Sequence, residues 1–471
     1  MNFDETLEKI HSFSIYGSKL GLHRMKRLLE LLGNPHEKLK VIHVAGTNGK
    51  GSVCRYVYSV LQANGYRTGA YFSPYIERFT ERIEFDNREI SEDDLIKYSA
   101  LVFDAVEKMI NSGEESPTEF EVVTAIGFCY FAAENADFVV LEVGLGGRGD
   151  STNVCESPYV TAITSISFDH MDRLGDTLEK IAAEKAGILK ENVPMVVNVD
   201  DEAAFEVIKQ MAVEKNSPLI DVRKSSAEII SESLDGFEFR ASIMPFSVEN
   251  GAAGPSVEDD AASPGKEAGS CYDSVKLSMT GAHQVQNAIC ALCIIEVLKA
   301  RGLRLDDEKI KRGMTLAVQK ARFEIMSRKP SYLILDGAHN EAGIRTLTDT
   351  VLRFFKGKRI LLCTGILADK SFDIMAKELM KLEADIIVTE VPNPRKLEAA
   401  KLAEVFRKAA ENIKETKDKK AGDVHSVAVE PDYKKAVHLA YDKRNDYDLV
   451  LWAGSLYLIG AVRKYIQEVF T

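Results

Sequence analysis

Val41-Ile-His-Val-Ala-Gly46-Thr-Asn-Gly49-Lys50-Gly51-Ser52 decides the reading of this chain. The mostly apolar start reads as a buried strand, and Val53 to Asn64 has the spacing of a helix. Between them runs a glycine-rich turn with one lysine and one hydroxyl. Strand, glycine loop and helix are the context that turns such a loop into a phosphate cradle. With little side-chain bulk in the way, the backbone N–H groups of Asn48, Gly49, Lys50, Gly51 and Ser52 can converge on phosphate oxygens. The helix behind adds unpaired N–H groups and a positive dipole end. Lys50 then neutralises the β- and γ-phosphates, and Ser52 reaches a magnesium ion. The spacing departs from the commonest phosphate loop: two residues, not four, separate Gly46 from Gly49, and Gly51 stands between lysine and serine. A tight strand-to-helix turn with a solvated lysine is the competing reading.

At 471 residues the chain exceeds one ordinary core, so two domains are expected. A net charge of −12 counts against a nucleic-acid groove as the main surface. Local Lys and Arg clusters can still serve anionic substrates. Met1-Asn-Phe-Asp-Glu lacks a signal-peptide core, and no apolar run approaches the ~18–20 residues that a bilayer requires. Seven scattered cysteines point to reduced thiols and a cytoplasmic home. Cys290-Ala-Leu-Cys293 has no second pair at zinc-site spacing and lies in an apolar helical stretch, so both read as small core residues. The expected protein is a monomer without nucleic-acid or membrane partners.

Upstream of the loop, Glu5 to His11 and His23 to Leu32 read as helices, the second closed by Gly33-Asn34-Pro35. This arm is either a flap over nucleotide or substrate, or a helical cover on a sheet edge. Downstream, Thr68 to Phe72 is a second strand running into Ser73-Pro74-Tyr75. Ligands in open α/β sheets sit at the C-terminal strand ends. Ser73 is therefore a candidate metal or phosphate contact, beside ordinary Ser-Pro turn chemistry. Ser91 caps a helix to about Ser112, and Thr118 with Glu121 forms a capping box that opens another.

Asp137 to Val143 reads as a buried parallel strand with Glu142 near its end, where a magnesium ligand belongs if phosphates lie on the first loop. Gly144-Leu-Gly146-Gly147-Arg148-Gly149 has a formal G-x-G-x-x-G, and Asp169 follows 20 residues after Gly149. A dinucleotide site is rejected, because that motif must open a helix. Here Asp150-Ser151-Thr152-Asn153 is a polar loop before the strand Tyr159 to Ile166. The glycines rather let a loop pass close to a ligand. The strand ends in Asp169-His170, directly after the Glu142 strand, which gives His170 a metal reading besides that of an ordinary polar residue. Thr177 to Leu189 is a helix carrying Lys185, by default a salt-bridge partner.

Met195 to Val199 reads as a strand, Asp201 to Glu214 as a helix, and 235–240 and 274–278 as β segments. Glu249 to Ser270, rich in Gly, Ala, Ser, Pro and acid, reads as an exposed, mobile insertion. His283, Gln284 and Asn287 open a long apolar helix, where they either bond an adenine or hold the loop. From Tyr332 the strand–helix alternation restarts, with Asp336, His339, Asp369, Lys370, Asn393, Arg395 and Ser455 at strand ends. That is a second doubly wound sheet, whose ligand crevice is expected to face a nucleotide held by the first domain.

In this order, the motifs resemble the folylpolyglutamate synthase and dihydrofolate synthase family, relatives of the Mur ligases. The resemblance spans nearly the whole chain. It rests on Gly46 to Ser52, on Glu142 to Arg148 with Asp150 and Thr152-Asn153, and on Asp169-His170. Glu184 to Ile188, His283-Gln284 with Asn287, and Asp336 to Asn340 complete it. It implies an α/β protein with an N-terminal P-loop ATPase domain, 1–321, whose sheet is mostly parallel, and a C-terminal Rossmann-like, doubly wound glutamate-ligase domain, 322–471. By that resemblance Ser73, Glu142 and His170 bind Mg²⁺, and Lys185 is carbamylated. Asn287, Arg322 and Asp336 contact ATP. Thr118, Phe120 and Glu121, with Gly149, Asp150 and Ser151, approach the pterin. Tyr75 stands where a histidine is common after Ser-Pro, and Ala321 where glycine often precedes the arginine.

The implied reaction is ATP-dependent amide ligation. Phosphoryl transfer to a carboxylate makes an acyl phosphate, which the amine of L-glutamate attacks. The acceptor is dihydropteroate, a tetrahydrofolate polyglutamate, or both. Lys50, Lys185 and His170 would carry the catalysis, chiefly by charge neutralisation and ordering of the metal. A UDP-muramyl amino-acid ligase and a non-enzymatic, nucleotide-gated binding module are the alternatives.

Overall fold

The computed structural model describes residues 1–17, 19–245, 269–416 and 426–470, with 412–416 as backbone only. They fall into two compact units. The first comprises Met1–Glu232, Phe237–Ser278 and Gln284–Ala317; the second comprises Ser233–Gly236, Met279–His283 and Val318–Thr471.

In the first unit, strands β1 (Val41–Ala45), β2 (Thr68–Tyr71), β3 (Ile83–Phe85), β4 (Arg88–Glu89), β5 (Phe138–Glu142), β6 (Val160–Ile163), β7 (Met195–Val197) and β8 (Leu219–Asp221) build one sheet. Its order is β4-β3-β2-β5-β1-β6-β7-β8. From β2 to β8 every pairing is parallel, and β3 and β4 add an antiparallel edge. β1 lies in the middle and is buried along its whole length, as its apolar run requires. A smaller sheet follows, with β9 (Ser226–Ser233), β10 (Gly236–Ile243) and β11 (Ser270–Leu277) in the order β11-β10-β9. β9 has no counterpart in the sequence reading, because its mostly exposed face carries no alternation of apolar residues.

Helix starts follow the cap chemistry of the chain. Thr118 and Glu121 close a reciprocal capping box at the start of helix Glu119–Ala133. Ser91, Asp201 and Asn340 cap helices Glu92–Asn111, Glu202–Glu214 and Glu341–Phe355. The flap reading of the N-terminal arm fails for its helices. Ile10 of helix Phe3–Ser12, and Met25, Leu28 and Leu29 of helix His23–Leu31, are fully buried in the cluster that holds Val122, Ile126 and Phe131. Burial at about 1.5–3 kcal/mol per large apolar side chain makes the arm part of the core. Two boundaries also differ from expectation. The helix after the glycine loop begins at Lys50, not Val53. The helix bearing Lys185 ends at that residue, and a 3-10 turn Ala186–Ile188 continues it.

The second unit has β12 (Glu324–Ser327), β13 (Tyr332–Leu335), β14 (Ile360–Thr364), β15 (Asp385–Val388), β16 (Val427–Val429) and β17 (Leu449–Ala453) in the order β12-β13-β17-β14-β15-β16. Only the β12 edge is antiparallel. Ile344, Leu347 and Val351 from one helix and Leu402, Ala403 and Phe406 from another pack in its own core.

The expected insertion, Glu249 to Ser270, lies outside the described residues except for its last two. Ser270 itself opens β11 opposite Ile243, which corrects the reading at that end. The seven cysteines are free thiols, and all but Cys271 are buried. No helix among the described residues is long and apolar enough to cross a membrane.

Candidate active site

Four neighbouring parallel strands, β2, β5, β1 and β6, send their C-terminal ends to one edge of the first unit. Ser73 follows β2, Glu142 ends β5, the glycine loop follows β1, and Asp169-His170 follow β6. The register puts Glu142 level with Val44 and Ala45 level with Ile163.

The glycine loop is zipped to the end of β6. Thr47 N–H donates to the Ser165 carbonyl at 2.8 Å, and the Thr164 hydroxyl to the Asn48 carbonyl at 2.6 Å. Asn48 N–H in turn donates to Ser165 Oγ at 3.0 Å. Gly49 is left-handed, with φ 85°, and a Cβ there would lie 2.5 Å from Asn287 Oδ1. Both the turn and the close approach therefore demand glycine. Val53 N–H makes the first helical bond, to the Gly49 carbonyl at 2.9 Å. Lys50, Gly51 and Ser52 thus occupy the helix's first turn, the end of a helix at which negative charge is favoured.

Helix Ala282–Ala300 supports this turn. Gln284 Nε2 donates to Ser52 Oγ at 3.4 Å, and Asn287 Nδ2 to Gln284 Oε1 at 3.2 Å. Gln284 thus reaches the loop directly, while Asn287 bonds within its own helix and lies beside Gly49.

Two lysines meet beneath the loop. Lys50 Nζ donates to the carbonyls of Gly46 and Thr47, each at 3.1 Å. Lys185 Nζ, buried, donates to the same Gly46 carbonyl at 2.8 Å. Burial and then the charge of Lys50 lower Lys185 to about 7, against the opposing pull of Asp169 and Asp150. Among the described residues Lys185 thus has no carboxylate ion pair, contrary to its default reading.

Ser73 and Glu142 are brought together: Ser73 N–H donates to Glu142 Oε2 at 3.1 Å. The buried carboxylate and the neighbouring hydroxyl are hard oxygen donors, the kind that suits magnesium. His170 lies on the next strand end but one, left-handed and with its side chain 42% exposed, and its N–H reaches Asp169 Oδ1 at 2.9 Å. Among the described residues, no group of three or more His, Cys, Asp or Glu is placed to hold a metal.

Of the candidate pterin residues, Phe120 meets the loop that follows β5, and Gly149, Asp150 and Ser151 belong to that loop. The Phe120 ring lies so close to Gly144 that a Cβ there would be 2.4 Å away. Glu121 is buried. Its Oε2 accepts from Thr118 N–H at 2.7 Å, the Thr118 hydroxyl at 2.9 Å and Arg24 Nε at 3.1 Å. Gly149 accepts a bond from Gly21 N–H at 3.0 Å, which ties the loop to the N-terminal arm. Ser151 is buried in the turn that follows. Asp150 is buried and organises the loop: Leu145 N–H reaches Oδ2 at 2.8 Å, and Thr152 N–H reaches Oδ1 at 3.0 Å. The Thr152 hydroxyl donates to the same Oδ1, while its oxygen contacts His43 Nε2 at 2.8 Å. Sequence reading passed over His43 and Arg24. A lone histidine inside an apolar strand was the signal for the first; nothing local marked the second.

Arg322 and Asp336 belong to the second unit. Asp336 accepts Phe323 N–H and Ala338 N–H, each at 2.8 Å. Burial raises its pKa, and the Arg322 charge works against that shift. Burial also lowers His283, in the same unit, to about 4, with Arg322 adding to the shift.

The chain is similar to known proteins along most of its length. The Mur ligase middle domain matches residues 44–295, and the Mur ligase glutamate ligase domain matches 321–456. A dihydrofolate synthase/folylpolyglutamate synthase of Bacillus subtilis is 35% identical, covering 97% of each chain. The folylpolyglutamate synthase structure from Thermotoga maritima superposes with a TM-score of 0.79 at 33% identity, covering 99% of this chain and 96% of that one. The Escherichia coli FolC structure in complex with DHPP and ADP gives 0.82 at 27% identity, covering 100% and 99%.

Proposed function

Because this chain belongs to the folylpolyglutamate synthase and dihydrofolate synthase family of Mur-type ligases, we propose that it adds L-glutamate to dihydropteroate, to tetrahydrofolate polyglutamates, or to both, at the expense of ATP. The observation that carries the reading is the glycine loop with Lys50 on its helix turn, beside the Ser73–Glu142 pair at the adjacent strand ends.

In this reading Asn48 to Ser52 cradle the phosphates by backbone N–H groups, Lys50 swings from its two carbonyls onto the β- and γ-oxygens, and Asn287, beside Gly49, contacts the nucleotide. Ser73, Glu142 and His170 hold Mg²⁺. When bound, the metal supplies positive charge to the phosphoryl oxygens. The acceptor carboxylate attacks the γ-phosphorus and ADP leaves; glutamate's amine then displaces phosphate from the acyl phosphate. Thr118, Phe120, Glu121, Gly149, Asp150 and Ser151 orient the pterin. In the second unit Arg322 and Asp336 contact ATP. Residues 1–321 act as the ATP-binding domain and 322–471 as the glutamate-ligase domain. Lys185, with its lowered pKa, adds CO₂ to its neutral amine, releases a proton and becomes an anionic carbamate. The enzyme works as a cytoplasmic monomer.

The test follows ADP and phosphate release with ATP, L-glutamate and one acceptor at a time. Turnover is expected with dihydropteroate, tetrahydrofolate or both, and its loss is expected in Lys50→Ala. Turnover confined to a UDP-muramyl acceptor, or none that depends on an acceptor, overturns the reading.

A further inference from the structure

Arg82 is unlike the arginines around it. It ends the 3-10 turn Phe79–Arg82, immediately before β3. Its carbonyl accepts Phe72 N–H at 2.9 Å, so its backbone lies across the strand pair from the residue that precedes Ser73. Neighbouring arginines are matched to acids. Arg55 grips Glu84 by bonds of 2.6 and 2.7 Å, and Arg78 meets Glu89 at 2.5 Å. Arg82 forms no ion pair among the described residues, and its Nε is buried without a hydrogen-bond partner.

The guanidinium is framed by rings, its central carbon 5.2 Å from the Tyr75 centroid and 5.7 Å from that of Phe79. Its side chain is within hydrogen-bonding reach of the buried Tyr71 hydroxyl, and its charge acts on that group as well. Tyr71 bonds Thr124 Oγ1 at 3.2 Å, and its ring lies 6.0 Å from that of Phe120. The guanidinium thus sits by Tyr71, Tyr75 and Phe79, on the strand pair that leads into Ser73, and Tyr71 in turn adjoins Phe120. A half-buried guanidinium, oriented by two rings and lacking an acid, is a receptor for a planar carboxylate.

Resting on the acceptor assignment made above, we propose that Arg82 receives a carboxylate of the acceptor and thereby sets which acceptors bind. Two carboxylates have the right chemistry. Dihydropteroate carries only the one that reacts; a glutamylated folate carries an α-carboxylate besides. Tyr75 forms one wall of this receptor.

The experiment measures kcat and KM for dihydropteroate and for tetrahydrofolate in Arg82→Gln and Arg82→Lys, with nucleotide affinity alongside. Arg82→Gln should raise the acceptor KM about tenfold to a hundredfold, as expected for a lost charge-assisted bond, while nucleotide affinity holds within about twofold. Arg82→Lys should recover part of the loss. A loss with both acceptors, accompanied by a fall in kcat, assigns Arg82 to the reacting carboxylate. A loss with tetrahydrofolate alone assigns it to the α-carboxylate. A dihydropteroate analogue without its carboxylate should bind wild type and Arg82→Gln alike. Unchanged KM for both acceptors overturns the proposal, as does an equal loss with the decarboxylated analogue or a parallel loss of nucleotide affinity. Wild type that turns over neither acceptor instead removes the acceptor assignment itself.

Discussion

Lys50 and Lys185 donate to one acceptor, the Gly46 carbonyl, at 3.1 and 2.8 Å. Burial, and then the charge of Lys50, bring Lys185 down to about 7. Near neutral pH about half of its amine is then uncharged and nucleophilic.

Lys185→Ala is predicted to lose most ligation and to regain part of it with millimolar acetate or formate, which replace the missing anion. Wild type stripped of CO₂ should slow and recover on adding bicarbonate. A fully active Lys185→Ala contradicts the carbamate.

The same shift sets a stability signature. The folded pKa lies near 7 and the unfolded one at 10.5, so between those values the unfolded chain binds the extra proton and stability rises with pH. In CO₂-free buffer, Lys185→Met should therefore be more stable than wild type at pH 7, by on the order of 2–4 kcal/mol, with the gap closing near pH 10. Denaturation midpoints that differ equally at both pH values reject the assignment.

Glu142 is the carboxylate at the end of β5, with Ser73 N–H already on one oxygen. Glu142→Ala should lower ADP formation by about two to three orders of magnitude and leave the fold intact by circular dichroism. Excess Mg²⁺ should restore little. Wild-type turnover in this variant removes Glu142 from the metal site.

His43 is fully buried and lowered to about 3, mainly by burial, and the Lys190 charge adds to that. Below its ordinary value of 6.5 the unfolded chain takes up a proton that the folded one refuses, so stability falls as pH drops from about 6.5 toward 3. His43→Gln should flatten that limb. Thr152→Val, which strips Asp150 of a donor and His43 of its partner, should cost about 1–3 kcal/mol at pH 7. An unchanged acid limb in His43→Gln counts against the neutral buried ring.

Arg24 and Glu121 are 3% and 1% exposed and meet at 3.1 Å. Arg24→Met leaves Glu121 an unpaired buried acid, so unfolding in urea should show a loss of about 3–5 kcal/mol. A midpoint shift worth less than ~1 kcal/mol, the surface-pair range, shows that the pair is dispensable.

Much of the architecture was legible before any coordinates. The glycine loop after β1, the capping box at Thr118 and Glu121, the refusal of Gly144 to Gly149 to open a helix, and the restart of alternation at β13 all follow from patterns a few residues long. The site was legible only where such a pattern coincided with a strand end, as at Ser73, Glu142 and Lys50. Asp150 shows the limit. The resemblance implied a pterin contact there, whereas the bonds of its oxygens to Leu145 and Thr152, which organise the loop, carry no mark in the local sequence.

The chain alone determined which stretches become strands, loops and helices, because capping, turn geometry and apolar period act through neighbouring residues. The tertiary structure decided which of those stretches touch. Arg24 and Glu121 are 97 positions apart, and Gln284 reaches Ser52 across 232. Lys185 is shifted by burial under a carbonyl 139 residues away. Pairings at that range depend on how helices pack on the sheet, and desolvation depends on everything packed around a group, so neither leaves a mark in local spacing.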